Sequence, residues 1–428
     1  MNTRIFPVAA LAFSLLLLPA CAPATVRAQE VHSDAPRELA PQVADSDLAE
    51  LVAGNNDFAF ALYPQFSPGD ANVFYSPYSV SIALAMTYAG AKGQTAEQMA
   101  AALHFTLPQE RLHPAFNKLA LELESRSKSE DIEPDQAFQL NVANSLWGQS
   151  GAHFEQNFLD LLARNYAAGM RLVDYEKDAE AARKEINDWV SQSTNQKIKD
   201  IIPPGALDAL TRMVLANAVY FKAAWQNSFE PDATQPDAFH LQGGTAVQVP
   251  MMHQQTRLEF MQGEGYRAVE LPYVGRQLSM LILLPDEGKF GEVEARLDAE
   301  LLNATLASLE WGEVILTMPK FMFEWSSGLA DGLAALGMRD AFDLDRADFS
   351  GMDGARDLYI TNVLHKAFVA VDEAGTEAAA ATVVIVGATA MQPSEPVEFN
   401  IDRPFLFLIR DNPTGTILFL GRVTNPAA

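Results

Sequence analysis

From Met213 to Phe221 the chain is apolar at nearly every position, and Asn217 is the interruption. An apolar run of this kind, rich in branched and aromatic side chains, fits a central strand covered on both faces. Layers must then lie on either side of its sheet. The amide of Asn217 must also find partners inside, because an unpaired buried amide costs about 1–3 kcal/mol. The rest of the chain can supply those layers: of 428 residues, 49% are hydrophobic and 20% charged, the balance of a large core rather than of disorder. Cys21 is the single cysteine, so no intrachain disulfide exists and the core carries stability unaided.

Periodicity outlines the other elements. Leu48, Leu51, Val52, Phe58 and Leu62 approximate one helical stripe, opened by Asp47 and Glu50 as a capping box. Ser79–Ala89 is apolar nearly all round and stops at Gly90, the pattern of a buried helix, and Thr95 with Gln98 is expected to cap the next. Ile186, Trp189 and Val190 mark one face of a helix within Ala181–Lys199 that lies on something flat. Strands are expected at Ala268–Leu271 and Gln277–Leu284, forming a hairpin, and at Glu313–Pro319 and Tyr359–Glu373. A closing hairpin pairs Phe405–Arg410 with Thr416–Arg422 around Asn412-Pro413-Thr414-Gly415. No internal repeat or second tether appears, so the chain reads as one α+β unit.

The N-terminus carries targeting information. Ile5–Leu18 is an apolar run after Arg4, too short to span a bilayer comfortably, and Leu18-Pro19-Ala20-Cys21 resembles a bacterial lipobox. The expectation is a signal peptide over 1–20, a lipid on Cys21 and a disordered tether over 21–45, with the folded domain at 46–428. Plain secretion with cleavage after a small residue such as Ala28 is the alternative. The protein would cross the inner membrane and sit in the cell envelope, periplasmic or at the surface, and otherwise be extracellular.

Several function classes lack residues. Asp and Glu number 55 against 30 Lys and Arg, a formal net charge of −25 that repels nucleic acid and anionic lipid. Neither a Gly-x-Ser-x-Gly elbow nor a Gly-rich phosphate loop is found, and the seven histidines never fall at a metal-ligand spacing. A triad assembled from distant residues stays open on sequence grounds.

The segment Glu373-Ala-Gly-Thr-Glu-Ala-Ala-Ala-Ala-Thr382 is physically odd: a long strand runs into it, and small residues then replace the β-branched ones. Gly375 suits a pivot. If the continuation were extended, Thr376, Ala378, Ala380 and Thr382 would share one face, and Glu377, Ala379 and Ala381 the other. Such a strand can slide into a sheet with its small side buried and Glu377 facing water. A short Ala-rich helix or a surface loop fits the composition equally well.

This decapeptide resembles the reactive-loop hinge of inhibitory serpins, with Ala374 in place of the charged residue commonly found second. Further motifs carry the same resemblance over roughly 46–426: Asn72-Val-Phe-Tyr-Ser76-Pro77-Tyr-Ser79, Gly90-Ala-Lys-Gly93-x-Thr95-x-x-Gln98, Asn141-Val-Ala-Asn144-Ser-Leu-Trp, Leu215-x-Asn217-Ala-Val-Tyr-Phe221-Lys222-x-x-Trp225, Met318-Pro319-Lys320, Val363-Leu-His365-Lys366 and Asp402-Arg-Pro404-Phe405. It implies a single domain with a large mixed sheet, smaller sheets, about eight to nine helices and an exposed reactive loop at about 373–396. The implied activity is that of a serine-protease inhibitor, not an enzyme, needing no metal or cofactor. It is expected to act as a monomer on a serine or possibly a cysteine protease, touching membrane only through its lipid.

The resemblance also implies roles. Ser76, Ser79, Asn217 and His365 would form the shutter beneath the sheet centre. Trp225, Lys320 and Glu373 would form the breach at its top, and Glu373, Gly375, Thr376, Glu377, Ala378, Ala379, Ala380, Ala381 and Thr382 the hinge. Counting sixteen from Glu373 puts the scissile bond at Thr389-Ala390, with Ala388, Ala390 or Met391 open as the residue before the cut. Small and apolar surroundings point to an elastase-like or subtilisin-like target. Cleavage would let the loop insert as a strand of about 14 residues, roughly 48 Å long, trapping the acyl-enzyme. A non-inhibitory member that serves as a binding or chaperone module is the second reading; it predicts bulky, charged or proline residues after Gly375, and from there to Thr382 Glu377 alone is charged while the rest are small.

Overall fold

The structure is a computed structural model and describes residues 28–66, 69–126, 138–377 and 395–428. The signal peptide, Cys21, hinge residues Ala378 to Thr382 and the bond Thr389-Ala390 lie outside the described residues.

Two sheets organise the chain. The first has seven strands in the order Gln29–Val31, Met170–Val173, Gln139–Gln149, Met213–Ala224, Gly375–Thr376, Asn362–Val371 and Phe321–Gly328. Its pairing is mixed: Met213–Ala224 runs antiparallel to Gln139–Gln149 and parallel to Asn362–Val371. The second has nine strands and contains both expected hairpins, Tyr266–Pro272 with Leu278–Pro285 and Phe405–Asp411 with Ile417–Val423. The described residues hold ten α-helices, the shortest Ser350–Asp353, slightly more than expected.

Met213–Ala224 is buried at every position except Lys222, which is half-buried. Its side chains alternate between two cores, as strand pleating requires. Val214, Ala216 and Ala218 join a cluster with Ile186 and Val190 of the helix Tyr175–Ser193, which lies on that face. Met213, Leu215, Val219 and Phe221 join the main core on the other face. Asn217 has the same parity and so points into the main core, where the helix Pro77–Tyr88 is buried at all twelve positions. That helix starts two residues before the expected Ser79. Ser76 is its N-cap, accepting from the Ser79 amide at 3.2 Å, and Pro77 fills the first helical position, where its missing N–H costs nothing.

Three local expectations are corrected. Residues 28–44 are not a solvated tether. Gln29–Val31 adds an edge strand antiparallel to Met170–Val173, Ser33 is buried with its hydroxyl on Asp160, and Arg37 bonds Asn117 and Glu124. Backbone pairing and polar side-chain bonds, neither of which needs an apolar period, hold this segment. Asp47 and Glu50 do not cap the first helix: Ala44 stands at its N-cap with no side-chain bond, and Asp47 pairs instead with Arg111 at 3.0 Å. Thr95 and Gln98 likewise cap nothing. Thr95 Oγ1 accepts from the Asp348 amide, and Gln98 Oε1 accepts from the amides of Arg339 and Asp340, so both tie down a distant loop.

Candidate functional site: the opening of the large sheet

The two central parallel strands pair from Asn362↔Val214 to Phe368↔Tyr220 and then part. The gap above is occupied. Gly375 and Thr376 enter it antiparallel to both neighbours, opposite Ala224 and Ala223 on one side, with Thr376 opposite Val371 on the other. The reactive-loop segment is therefore not wholly exposed. Thr376 is fully buried, its hydroxyl 2.7 Å from that of Tyr273. Close approach requires Gly375: a Cβ there would lie 2.1 Å from the Ala223 carbonyl oxygen. Glu377 does not face open water either, since its carboxylate is paired with Lys197.

Around the entry point the backbone is tied to Trp225. Its indole N–H donates to the Asp372 carbonyl and its amide to that of Ala374, both at 3.0 Å, while its ring stacks on Tyr273 at 4.6 Å. Glu373 accepts from Lys320 Nζ and from Thr234 Oγ1, each at 2.7 Å. Burial works to raise the Glu373 carboxyl, but the bonds from Lys320 and Thr234 together outweigh it and leave the group below its ordinary value. Trp225, Lys320 and Glu373 thus meet at one end of the gap.

Beneath the gap, three neighbouring strands each present a polar residue at the same level, for Asn217 lies opposite Asn144 in one pairing and opposite His365 in the other. His365 Nε2 accepts from the Ser76 amide at 3.1 Å, which puts the ring proton on Nδ1, facing Asn217 Oδ1. Asn217 Nδ2 donates to Ser79 Oγ at 2.6 Å and to Asn144 Oδ1. Asn144 returns a bond to the Ser79 carbonyl at 3.1 Å, and Ser76 Oγ donates to the Leu418 carbonyl at 2.7 Å. Burial pushes His365 down to about 3, so the ring is neutral and the cluster carries no charge. The buried amide that interrupts the apolar run has its partners.

Ser76, Ser79, Asn217 and His365 are brought together, and Asn144, Thr234 and Tyr273 join the two clusters although sequence reasoning gave them no role. Asn144 belongs to the segment Asn141-Val-Ala-Asn144-Ser-Leu-Trp, but only strand register places it against Asn217. Among the described residues no group of three His, Cys, Asp or Glu side chains is arranged to hold a metal, and no helix is long and apolar enough to cross a membrane.

The profile of the family described as "Serpin (serine protease inhibitor)" matches residues 53–426. The chain belongs to the serpin family. A serpin-like protein of the archaeon Thermococcus kodakarensis is 40% identical over 405 residues, covering 94% of this chain and 92% of that one. The leukocyte elastase inhibitor of pig is 40% identical over 394 residues, 89% of this chain and all of the inhibitor. Among solved structures, the thermophilic serpin tengpin in its native state superposes with a TM-score of 0.81 at 29% identity, covering 94% of this serpin and all of tengpin. Uncleaved ovalbumin gives 0.78 at 27%, over 88% of this serpin and all of ovalbumin. The fold is the serpin fold, and relatives of this serpin are protease inhibitors by name.

Proposed function

We propose that this serpin is an inhibitory one that acts as a suicide substrate. The observation that carries the reading is the lodging of Gly375 and Thr376 between the two parted strands, with small residues continuing the chain beyond Glu377. To continue, the inserted strand must take the place of the direct pairing that runs from Asn362↔Val214 to Phe368↔Tyr220, and small side chains suit it to do so. The bait bond is Thr389-Ala390. A serine protease attacking it forms its ordinary acyl intermediate. The released segment then parts the paired strands from Thr376 onward, over the cluster of Asn217 and His365, and carries the protease away before water reaches the ester. In this reading Trp225, Lys320 and Glu373 hold the entry point until cleavage.

The absence of Arg, Lys and aromatic residues from 386–391 favours a small or shallow apolar pocket, hence an elastase-like or subtilisin-like target. The names of the related leukocyte elastase inhibitors agree with that class. The protein acts as a monomer held in the cell envelope by a lipid on Cys21.

Mixing the purified protein with a panel of serine proteases and looking for an SDS-resistant adduct tests the proposal. An adduct with an elastase-like enzyme and none with trypsin is expected. Clean cleavage of the loop without adduct, by every protease tried, would establish a non-inhibitory serpin.

A further inference from the structure

Where the inserted hinge stops, Glu377 shows three features that trapping alone does not require. Its φ is +49°, a left-handed conformation uncommon outside glycine, and it ends the two-residue strand there. Its amide donates to the Ala370 carbonyl at 2.7 Å. Its side chain, only 15% exposed, forms an ion pair with Lys197. The other carboxylate oxygen is buried without a hydrogen bond of good geometry, although the carboxylate is near enough to add to the burial that pushes the Tyr220 hydroxyl up to about 12.

Lys197 follows the helix that lies on the sheet, and its ammonium sits 5.9 Å from the Tyr220 ring centre. The turn is anchored, since the Lys197 amide bonds the Thr194 carbonyl at 3.0 Å and the Ile198 amide bonds Thr194 Oγ1 at 3.2 Å. One ion pair thus ties the hinge to the layer above the sheet. For insertion to pass Thr376, residue 377 must become extended and its carboxylate must leave Lys197. The register Gly375↔Ala224, Thr376↔Ala223, carried one residue on, places Glu377 opposite Lys222, a second cation across the strand.

We infer that Lys197 and Glu377 form a latch that stops the hinge at two inserted residues, and that advance of the loop passes the Glu377 carboxylate from Lys197 to Lys222. Lys197 is a positioning residue in this scheme. The latch's effect on inhibition rests on the reading of this serpin as a loop-inserting inhibitor; its existence does not.

Hydrogen exchange of the peptide spanning 372–377 in the intact protein tests the latch directly. Lys197→Gln and Glu377→Gln should each speed exchange of the amide at position 377 by roughly two- to fivefold, as expected for a pair whose lysine stays largely solvated, with the rest of the sheet unchanged. The charge swap Lys197→Glu with Glu377→Lys should restore protection. Warm incubation should convert the Lys197→Gln protein to an uncleaved, inactive form two- to fivefold faster than wild type. Wild-type exchange in both single variants, or a swap that restores nothing, overturns the latch. Faster exchange with unaltered or slower conversion overturns its role as a stop. A wild-type protein that traps no protease would sink the inhibitory reading, while the exchange arm still decides the latch.

Discussion

Replacing Thr376 with arginine puts a guanidinium where a fully buried hydroxyl now bonds Tyr273. The site offers the new group little. Ala223 flanks it on one strand and Val371 on the other, and Tyr273 below is itself fully buried, its own hydroxyl held well above the ordinary range by that burial while the bond to Thr376 works the other way. Losing a neutral hydrogen bond costs about 1 kcal/mol, and an unpaired buried cation costs several more. A combined penalty of about 4 kcal/mol on the inserted hinge slows insertion by roughly a thousandfold if it is fully expressed in the barrier. Deacylation is untouched, so cleaved and released inhibitor should dominate. The assay is the stoichiometry of inhibition against an elastase-like protease, which should rise by at least tenfold, with loop cleavage as fast as before. Thr376→Ala, which loses the hydroxyl alone, should stay near wild type. Nicking the loop should raise the thermal midpoint of the wild type and leave that of Thr376→Arg nearly unmoved. Trapping by the arginine variant at wild-type stoichiometry would refute the assignment of Thr376 as the leading buried residue.

Burial holds His365, and likewise His113 on the buried face of the helix Gln109–Arg126, down to about 3 from an ordinary 6.5, so between those values the unfolded chain binds more protons than the folded one. Stability should therefore fall as pH drops below 6.5, by about 1.4 kcal/mol per unit for each ring, or about 4 kcal/mol in total at pH 5. Glu373, depressed below its own value, adds its loss only at lower pH. Denaturant midpoints at pH 7.5, 6.5 and 5 measure this, and a flat profile would contradict the neutral-ring assignment. Cys21→Ala should move the protein from the membrane fraction to the soluble one; unchanged fractionation leaves plain secretion. The C-terminal peptide released by a trapped elastase-like enzyme should begin at Ala390 by mass spectrometry, and one beginning at Gln392 would move the bond to Met391.

Much of this fold was legible because burial writes itself into composition. The apolar run broken only by Asn217 fitted a covered strand, and the nearly all-apolar stretch from Ser79 fitted an enclosed helix. Read as an extended strand, the alternation of small residues after Gly375 puts Thr376 on the small-residue face, and Thr376 is buried. What escaped was whatever depended on partners distant in sequence. Gln29–Val31 joins the sheet through its backbone, which leaves no side-chain signature. Thr95 and Gln98 stand at cap-like spacing, yet their oxygens serve a loop some 240 residues on. Asn144 is one polar residue among many until antiparallel register sets it against Asn217. The pairing of Glu377 with Lys197 spans 180 residues and turns on a left-handed backbone angle at Glu377. Sequence by itself marked the main buried stretches and the segment whose small, alternating residues could enter a sheet, since hydrophobic period and side-chain size are local. Tertiary structure alone decided how far that segment has entered and what stops it, because both are set by register and charge contacts between strands and a helix that meet only in the folded chain.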